Sequence, residues 1–316
     1  MMTQFKIHSL YHRIFLVLIG LLFSALSFAQ GSRQPNIENI KLKWLDIAYA
    51  SISPAQKLDI YLPKGGGPFP VILSVHGGAF KGGDKRDNQV APMLEGLKRG
   101  YAVVSINYRL SPEAIFPAQI YDVKAAVRWI RANSTKYKFN PDKIAAWGGS
   151  AGGTLCALIG TSGNVKELED LSLGNPTQSS NVQAVVDWFG PTDFLKMDEQ
   201  LKESKVKNPQ IHSIPESPES ELIGKNLDYA PELVKAVNPE TYITPDDPPF
   251  LIQHGLIDHL VPYQGSVNLS SKLSTIIGKQ KVTLELFENN DHGGPAFTTA
   301  QNIYKVFAFL DQYLKH

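Results

Sequence analysis

The chain has 316 residues, of which 43% are hydrophobic and 19% are charged, and its formal net charge is +1. These values are typical of a globular protein with a buried core and one or two domains. The nearly neutral charge gives no reason to expect nucleic acid or an acidic membrane surface as a partner.

The N-terminal residues have the pattern of a secretory signal peptide. Basic residues and histidines up to Arg13 precede an apolar run over 14–23, and small residues follow up to Ala29. The apolar run is short for a membrane anchor, which needs about 20 residues. We therefore predict a signal peptide over 1–29, export to the periplasm or the exterior, and a single folded domain over 30–316.

Eight apolar segments predict β-strands along the rest of the chain. They cover 42–48, 58–62, 71–75, 101–106, 144–147, 182–189, 250–254 and 282–287. Helical patterns at 95–99, 120–130, 267–276 and 303–310 alternate with them. This alternation predicts an α/β fold with a mostly parallel eight-stranded sheet and helices on both faces.

The segment 195–247 interrupts this alternation. It is rich in charged residues, proline and serine, and its periodicity is weak. We interpret it as a small cap or lid inserted over the active end of the sheet, and not as a second domain.

A G-x-S-x-G motif places Ser150 between Gly148 and Gly152, where the apolar segment 144–147 gives way to a helical pattern. A serine between a buried strand and a helix is held on a sharp turn, which exposes its hydroxyl above the sheet. The strand–turn–helix context makes the motif more specific than the five residues alone.

Asp258 and His292 follow the seventh and eighth predicted strands, in GLIDHLVP and ENNDHGGP. The order Ser, Asp, His is that of α/β hydrolases. A serine needs a base within hydrogen-bond reach, and histidine titrates in the right range. We therefore predict His292 as the base that activates Ser150 and Asp258 as the acid that orients His292.

An oxyanion hole needs backbone donors, and HGGAF follows the third predicted strand. The predicted donors are the backbone N–H groups of Gly78, Ala79 and Ala151.

Other residues compete for these roles. Asp291 adjoins His292 and would have difficulty folding back onto its ring, while Asp246 and Asp247 precede a strand and so lie at its wrong end. His259 neighbours Asp258 but precedes the last strand. We expect structural roles for the remaining candidates, which are His76, His254, Asp122 and Asp193.

Cofactor and disulfide signals are weak. Cys156 is the only cysteine, so the chain has no internal disulfide, and its apolar neighbours predict a buried side chain. No paired metal-ligand spacing recurs, and no G-x-G-x-x-G follows the first strand. We predict neither a metal nor another cofactor.

Six motifs together carry a family resemblance: HGGAF, NYRLSPEAIFPAQIYDVKAAVRWI, GGSAGG, GPTDF, GLIDHLVP and DHGG. From about Leu42 to the C-terminus the chain resembles the α/β-hydrolase superfamily. Within it, the chain is most similar to hormone-sensitive-lipase-like esterases, and especially to secreted bacterial carbohydrate esterases of the bifunctional feruloyl and acetyl-xylan type. The resemblance implies the same triad and the same oxyanion donors. Lipase members usually have a third glycine where this chain has Ala79.

This resemblance implies an exported serine esterase that acts on short acyl esters, with acetyl or feruloyl groups on xylan-type polysaccharide as candidate substrates. A small peptidase or amidase on the same scaffold is the second interpretation. A non-catalytic ligand-binding protein is the third, although such relatives commonly lose part of the triad. The sequence leaves the acyl group, the alcohol and the oligomeric state open.

Overall fold

The computed structural model describes residues 34–315, so the predicted signal peptide lies outside the described residues. Within this range eight strands form one sheet. They are β1 Lys43–Ala48, β2 Lys57–Tyr61, β3 Phe69–Val75, β4 Ala102–Ile106, β5 Phe139–Gly149, β6 Ala184–Trp188, β7 Phe250–Gly255 and β8 Val282–Phe287. Their order across the sheet is β1-β2-β4-β3-β5-β6-β7-β8.

The sheet is mostly parallel, as predicted. Strand β2 pairs antiparallel with β1 and β4, and all other neighbouring strands are parallel. Because parallel strands end at the same edge, the loops after β3, β5, β7 and β8 meet there. These loops carry HGGAF, Ser150, Asp258 and His292.

The described helices connect the strands and cover the sheet. They are α1 Ala91–Leu94, α2 Ala118–Ala132, α3 Ser134–Tyr137, α4 Ala151–Thr161, α5 Met197–Ser204, α6 Pro218–Ile223, α7 Pro231–Val237, α8 Tyr263–Ile277, α9 Pro295–Thr298 and α10 Ala300–Leu314. Short 3₁₀ turns lie at Asn88–Val90, Glu95–Arg99, Lys166–Leu168, Leu171–Leu173, Phe194–Lys196, Leu227–Tyr229, Pro239–Thr241 and Lys279–Lys281.

Two apolar cores lie on opposite faces of the sheet. Side chains alternate along each strand, so Leu73 faces one core and its neighbour Ile72 faces the other. The first core includes apolar residues of α2, α4 and α8, with Cys156 fully buried among them, and the second includes those of α10. The predicted coverage of both faces is therefore confirmed.

Several predicted elements differ from the structure in their bounds, and two of the differences coincide with a left-handed backbone residue. The strand predicted over 182–189 ends at Trp188, because Phe189 adopts a φ of 44° that an extended strand excludes. The segment 95–99, predicted as helical, is a 3₁₀ turn that ends at Gly100, whose φ is 83°. In the described part of the chain no helix is long and apolar enough to cross a membrane.

The segment 195–247 lies between β6 and β7 and contains α5, α6 and α7. Its central part packs against loops at the carboxyl edge of the sheet. The Gln210 N–H donates to the His259 carbonyl at 2.9 Å, and the Phe116 N–H donates to the Leu222 carbonyl at 2.8 Å. These contacts place Gln210 beside the loop that carries Asp258 and Leu222 beside the loop after β4.

Candidate active site

Ser150 lies on a tight turn between β5 and α4. Its φ is 57°, a left-handed value that is rare for residues other than glycine, and its N–H donates to the Trp188 carbonyl at 2.9 Å. The turn therefore raises the hydroxyl above the sheet edge, as the motif predicts.

The glycines on either side are required because backbone atoms approach them closely. A Cβ on Gly148 would lie 2.5 Å from the Gly152 carbonyl oxygen, and one on Gly152 would lie 2.2 Å from the Val75 carbonyl oxygen. These neighbours are backbone atoms and cannot rotate away. The motif thus lets α4 pack directly against β3 and β5.

The structure brings Ser150 and His292 together although 142 residues separate them. His292 Nε2 lies 2.8 Å from Ser150 Oγ, and His292 Nδ1 lies 2.8 Å from Asp258 Oδ2. The ring of Phe189 contacts the imidazole edge-on, with ring centroids 4.7 Å apart. The imidazole is thus positioned to take the hydroxyl proton at Nε2 while Nδ1–H donates to the carboxylate.

Asp258 is held by four donors. Its Oδ1 accepts from the N–H groups of Leu260 at 2.9 Å and Val261 at 2.8 Å, and its Oδ2 accepts from His292 and from His254. Burial alone would raise the pKa of this carboxyl, but the charge on His292 and the hydrogen bonds from both histidines lower it well below its usual range. The site therefore contains an ionised carboxylate of fixed orientation.

The competing residues His259 and Asp291 pair with each other. His259 Nδ1 lies 2.7 Å from Asp291 Oδ1, and both residues are more than a third exposed. Asp291 also accepts from the N–H groups of His259 and His292. This pair joins the loops after β7 and β8, while the ring of His292 hydrogen-bonds to Asp258 and Ser150 instead.

The HGGAF loop has an unusual backbone. Gly78, Ala79 and Phe80 all have positive φ values, of 117°, 56° and 58°. Side chains brace the loop: Tyr108 Oη donates to the His76 carbonyl at 2.9 Å, and Gln89 Oε1 accepts from the Gly77 N–H at 2.8 Å. A non-glycine residue in this region costs roughly 1 kcal/mol, and such strain is concentrated at functional sites.

The predicted oxyanion donors face the same cavity as Ser150. Gly78, Ala79 and Ala151 line a cavity of about 310 Å³ together with Ser150 and His292. Within residues 34–315, none of their three backbone N–H groups donates to another protein group. They are therefore free to bind an oxygen that carries negative charge.

The cavity has apolar walls and one polar side. Phe80, Phe189, Pro191, Leu260 and Val261 supply apolar surface. The polar side comes from the segment between β6 and β7, which contributes Gln210, His212, Pro218 and Glu219.

His212 and Glu219 form a buried ion pair on that polar side. His212 Nδ1 lies 2.8 Å from Glu219 Oε2, and His212 Nε2 lies 2.9 Å from the Leu260 carbonyl oxygen. Burial lowers the pKa of His212, but the hydrogen bond to Glu219 and its charge outweigh that effect and raise it. The pair ties α6 to the loop that follows Asp258.

Asp187 lies buried in β6 beneath the turn that holds Ser150. Its Oδ1 accepts from the Gly190 N–H at 3.0 Å, whereas its Oδ2 has no hydrogen-bond partner in the described part of the chain. Burial raises the pKa of Asp187 to about 7. This acid is therefore largely protonated in mildly acidic solution.

Of the remaining candidates, Asp122 and His76 have the structural contacts expected of them. Asp122 pairs with Arg109 at 2.8 Å and orients the chain after β4, while His76 Nδ1 donates to the Gly77 carbonyl at 2.7 Å. Asp247 lines a separate cavity with Asp246, away from Ser150. Asp193 precedes the 3₁₀ turn Phe194–Lys196 and is not among the residues that line the cavity at Ser150.

Sequence reasoning missed two features of the site. His254, expected to be structural, contacts the carboxylate of Asp258 directly. Its position four residues before Asp258, at the end of the same strand, is a signal that could have found this contact. His212 and Glu219 lie in a segment without a recognisable motif, so no sequence signal pointed to them. Among residues 34–315 no cluster of three or more metal-ligating side chains occurs.

The comparisons with known proteins agree on one family. The family model described as BD-FAE matches residues 58–273. A probable carboxylic ester hydrolase, LipM of Mycobacterium tuberculosis, is 32% identical over 85% of this chain and 60% of its own length. Esterase LipC of the same organism is 31% identical over 74% of this chain and 56% of its own length. The chain thus spans little more than half of these curated relatives.

Solved structures are similar over most of the chain. A truncated carbohydrate esterase from gut microbiota is 35% identical, with a TM-score of 0.78, over 90% of this chain and 100% of that structure. A bifunctional GH43-CE protein of Bacteroides eggerthii is 34% identical, with a TM-score of 0.77, over 86% of this chain and 38% of its own. The predicted fold is therefore confirmed as that of an α/β hydrolase.

Proposed function

The chain belongs to the BD-FAE family, and from this premise we propose that it is a serine carboxylic ester hydrolase acting on short acyl esters. One observation carries the proposal: a continuous hydrogen-bond chain runs from Ser150 through His292 to Asp258 and opens into a cavity with free backbone donors. A non-catalytic binding protein would not require this alignment.

The reaction follows from the roles that the residues can take. Ser150 Oγ attacks the ester carbonyl carbon while its proton passes to His292 Nε2. The resulting oxyanion accepts hydrogen bonds from the backbone of Gly78, Ala79 and Ala151. As the carbon–oxygen bond of the ester breaks, His292 returns the proton to the leaving alcohol and an acyl-serine remains.

Water completes the cycle by the same steps. His292 takes a proton from a water molecule, whose oxygen attacks the acyl carbon of the acyl-serine. The second tetrahedral oxyanion occupies the same backbone donors. When it collapses, the proton returns to Ser150 Oγ and the carboxylic acid leaves. Throughout, Asp258 remains ionised and stabilises the charged imidazole.

The cavity favours small acyl groups. Its volume of about 310 Å³ lies at the low end of the roughly 300–1,000 Å³ typical of ligand pockets. Such a space suits an acetyl group or one aromatic acyl group better than a long fatty chain. Because two similar structures are described as carbohydrate esterases or CE proteins, we propose acylated polysaccharide, with acetyl or feruloyl groups, as the natural substrate class.

Export is part of the same proposal, since polysaccharide lies outside the cytoplasm. The signal-peptide pattern over 1–29 supports it. Expression of the full chain in a bacterial host, followed by N-terminal sequencing of the periplasmic and extracellular protein, tests it. A mature N-terminus at Gln30 is expected, whereas an uncut chain held in the cytoplasm would refute export.

Ester hydrolysis is tested by comparing wild type with Ser150→Ala on p-nitrophenyl acetate, p-nitrophenyl octanoate, methyl ferulate and acetylated xylan. We expect the wild type to cleave short esters and the variant to lose at least about 10³-fold in kcat. His292→Gln should behave like Ser150→Ala, whereas the matched control His259→Gln should retain activity within about tenfold.

A fluorophosphonate probe separates the alternatives. Covalent labelling of wild type but not of Ser150→Ala is expected, because only an activated serine attacks the probe. Labelling of Ser150 without turnover of any ester would refute ester hydrolysis and favour a peptidase or amidase. Absence of both labelling and turnover would favour a binding protein.

A further inference from the structure

A second histidine lies behind the acid of the proposed triad. His254, at the end of β7, is fully buried, and its Nε2 lies 3.2 Å from Asp258 Oδ2. This is the same oxygen that His292 Nδ1 contacts at 2.8 Å. Two imidazole rings thus converge on one carboxylate oxygen, one from the end of β7 and one from the loop after β8.

The partners of His254 define its tautomer. Nε2 also lies 3.0 Å from the Val261 carbonyl oxygen, so this nitrogen faces two acceptors and must carry a hydrogen. Nδ1 lies 2.7 Å from the hydroxyl of Ser266, which is buried in α8 and has no other hydrogen-bond partner in the described part of the chain. When the Ser266 hydroxyl donates to Nδ1, the ring carries its hydrogen at Nε2 and each of these polar groups has a partner.

We propose that His254, oriented by Ser266, is a positioning residue for the ester hydrolysis proposed above. The two backbone donors to Oδ1 fix one end of the Asp258 carboxylate, and His254 fixes the other end, so the carboxylate cannot rotate away from His292. The hydrogen-bond chain therefore has five members, from Ser150 through His292, Asp258 and His254 to Ser266.

His254 also influences how strongly Asp258 attracts the His292 proton. A donor on Oδ2 reduces the negative charge available to His292 Nδ1–H, so its removal should make His292 a stronger base. Asp258 is the titratable group that His254 contacts, and His292 contacts the same carboxylate. The His259–Asp291 pair lies on the neighbouring loops. A residue that acted only by filling space would not alter the basicity of His292.

The kinetic test compares His254→Gln with His254→Leu. The amide nitrogen of glutamine can occupy the position of Nε2 and donate to Asp258, whereas leucine has a similar volume and no donor. We expect His254→Leu to lower kcat about 10- to 100-fold, as for a lost hydrogen bond to a charged group, with KM changed less than about threefold. His254→Gln should retain kcat within about threefold.

The pH profile distinguishes positioning from packing. In His254→Leu the acid limb of kcat/KM should shift to higher pH, and in His254→Gln it should stay with the wild type. Ser266→Ala should cause a smaller loss of about 3- to 10-fold, because Nδ1 loses its donor. Equal losses in His254→Gln and His254→Leu, or an unchanged acid limb in His254→Leu, would overturn the proposal.

A spectroscopic measurement on the wild type keeps the test independent of turnover and of how a variant affects catalysis. In protein labelled with ¹⁵N-histidine, the two-bond nitrogen–proton spectrum should show a neutral Nε2–H tautomer for His254, assigned by its loss in His254→Gln. An Nδ1–H tautomer or a permanently charged ring would overturn the proposed arrangement. Failure of the wild type to cleave esters would count against the proposed function, and the spectrum would still decide the hydrogen-bond arrangement.

Discussion

The His212–Glu219 pair predicts a stability difference that depends on pH. Both ring nitrogens of His212 face acceptors, the Glu219 carboxylate and the Leu260 carbonyl, so the ring is charged when both bonds form. Its pKa in the folded protein is raised above the unfolded value of 6.5. The stabilisation is therefore complete below about pH 6.5 and is lost as the pH rises through the higher folded pKa.

Glu219→Gln removes the charge and retains the shape. The glutamine amide can donate to Nδ1 of a neutral His212, while Nε2–H still donates to Leu260. A buried hydrogen bond to a charged group contributes about 1.5–3 kcal/mol and a neutral one about 0.5–1.5 kcal/mol, so the loss should be about 1–2 kcal/mol. For a domain of this size, that lowers Tm by roughly 2–4 °C at pH 6.

At pH 9 the difference should vanish or reverse. The neutral imidazole of wild type then has no proton for one of its two acceptors, whereas the glutamine variant satisfies both. Thermal unfolding followed by circular dichroism at pH 6 and pH 9 measures the difference. The matched control is Glu221→Gln on the same helix, whose ion pair with Lys81 is more than a third exposed and should contribute less than about 1 kcal/mol at either pH. An equal loss of Tm at both pH values for Glu219→Gln would refute a charged His212.

Three further predictions concern the site and its support. Asp258→Asn should lower kcat about 10⁴-fold in steady-state ester hydrolysis with little change in KM, because the imidazole of His292 loses its correct tautomer. Burial raises the pKa of Asp187 to about 7. The contribution of this group to folding stability is therefore complete below its unfolded pKa and is lost as the pH rises through the folded pKa of about 7. Asp187→Asn should therefore raise Tm at pH 8 and leave it nearly unchanged at pH 4.5. Phe189→Ala should widen the cavity and raise the ratio of octanoate to acetate hydrolysis about tenfold, and an unchanged ratio would exclude Phe189 as a wall of the acyl pocket.

The sequence predicted most of the sheet because buried parallel strands are continuous apolar runs between turn residues. The predicted triad residues also converge, since each follows the carboxyl end of a strand in a parallel sheet. The prediction for β6 was one residue too long at its carboxyl end because the left-handed backbone of Phe189 depends on its packing beside His292 and Gly149.

The polar wall of the cavity could not be predicted. His212 and Glu219 are seven residues apart in a segment of weak periodicity, and their role depends on where α6 packs against the loop after Asp258. His254 was expected to be structural because it ends an apolar strand, although its spacing of four residues from Asp258 is a signal for the contact between them. Both features arise from loop contacts that lie beyond the local periodicity of a strand or helix.

The burial of Cys156 has a practical consequence. The only thiol of the chain is fully buried in α4, and burial raises its pKa well above the ordinary value, so it is protected from thiol-reactive reagents in the folded protein. A cysteine introduced at Ile214, which is 41% exposed, would therefore accept a maleimide dye at a single site. Its fluorescence would report whether residues 195–247 move during turnover, without any background substitution in the native chain.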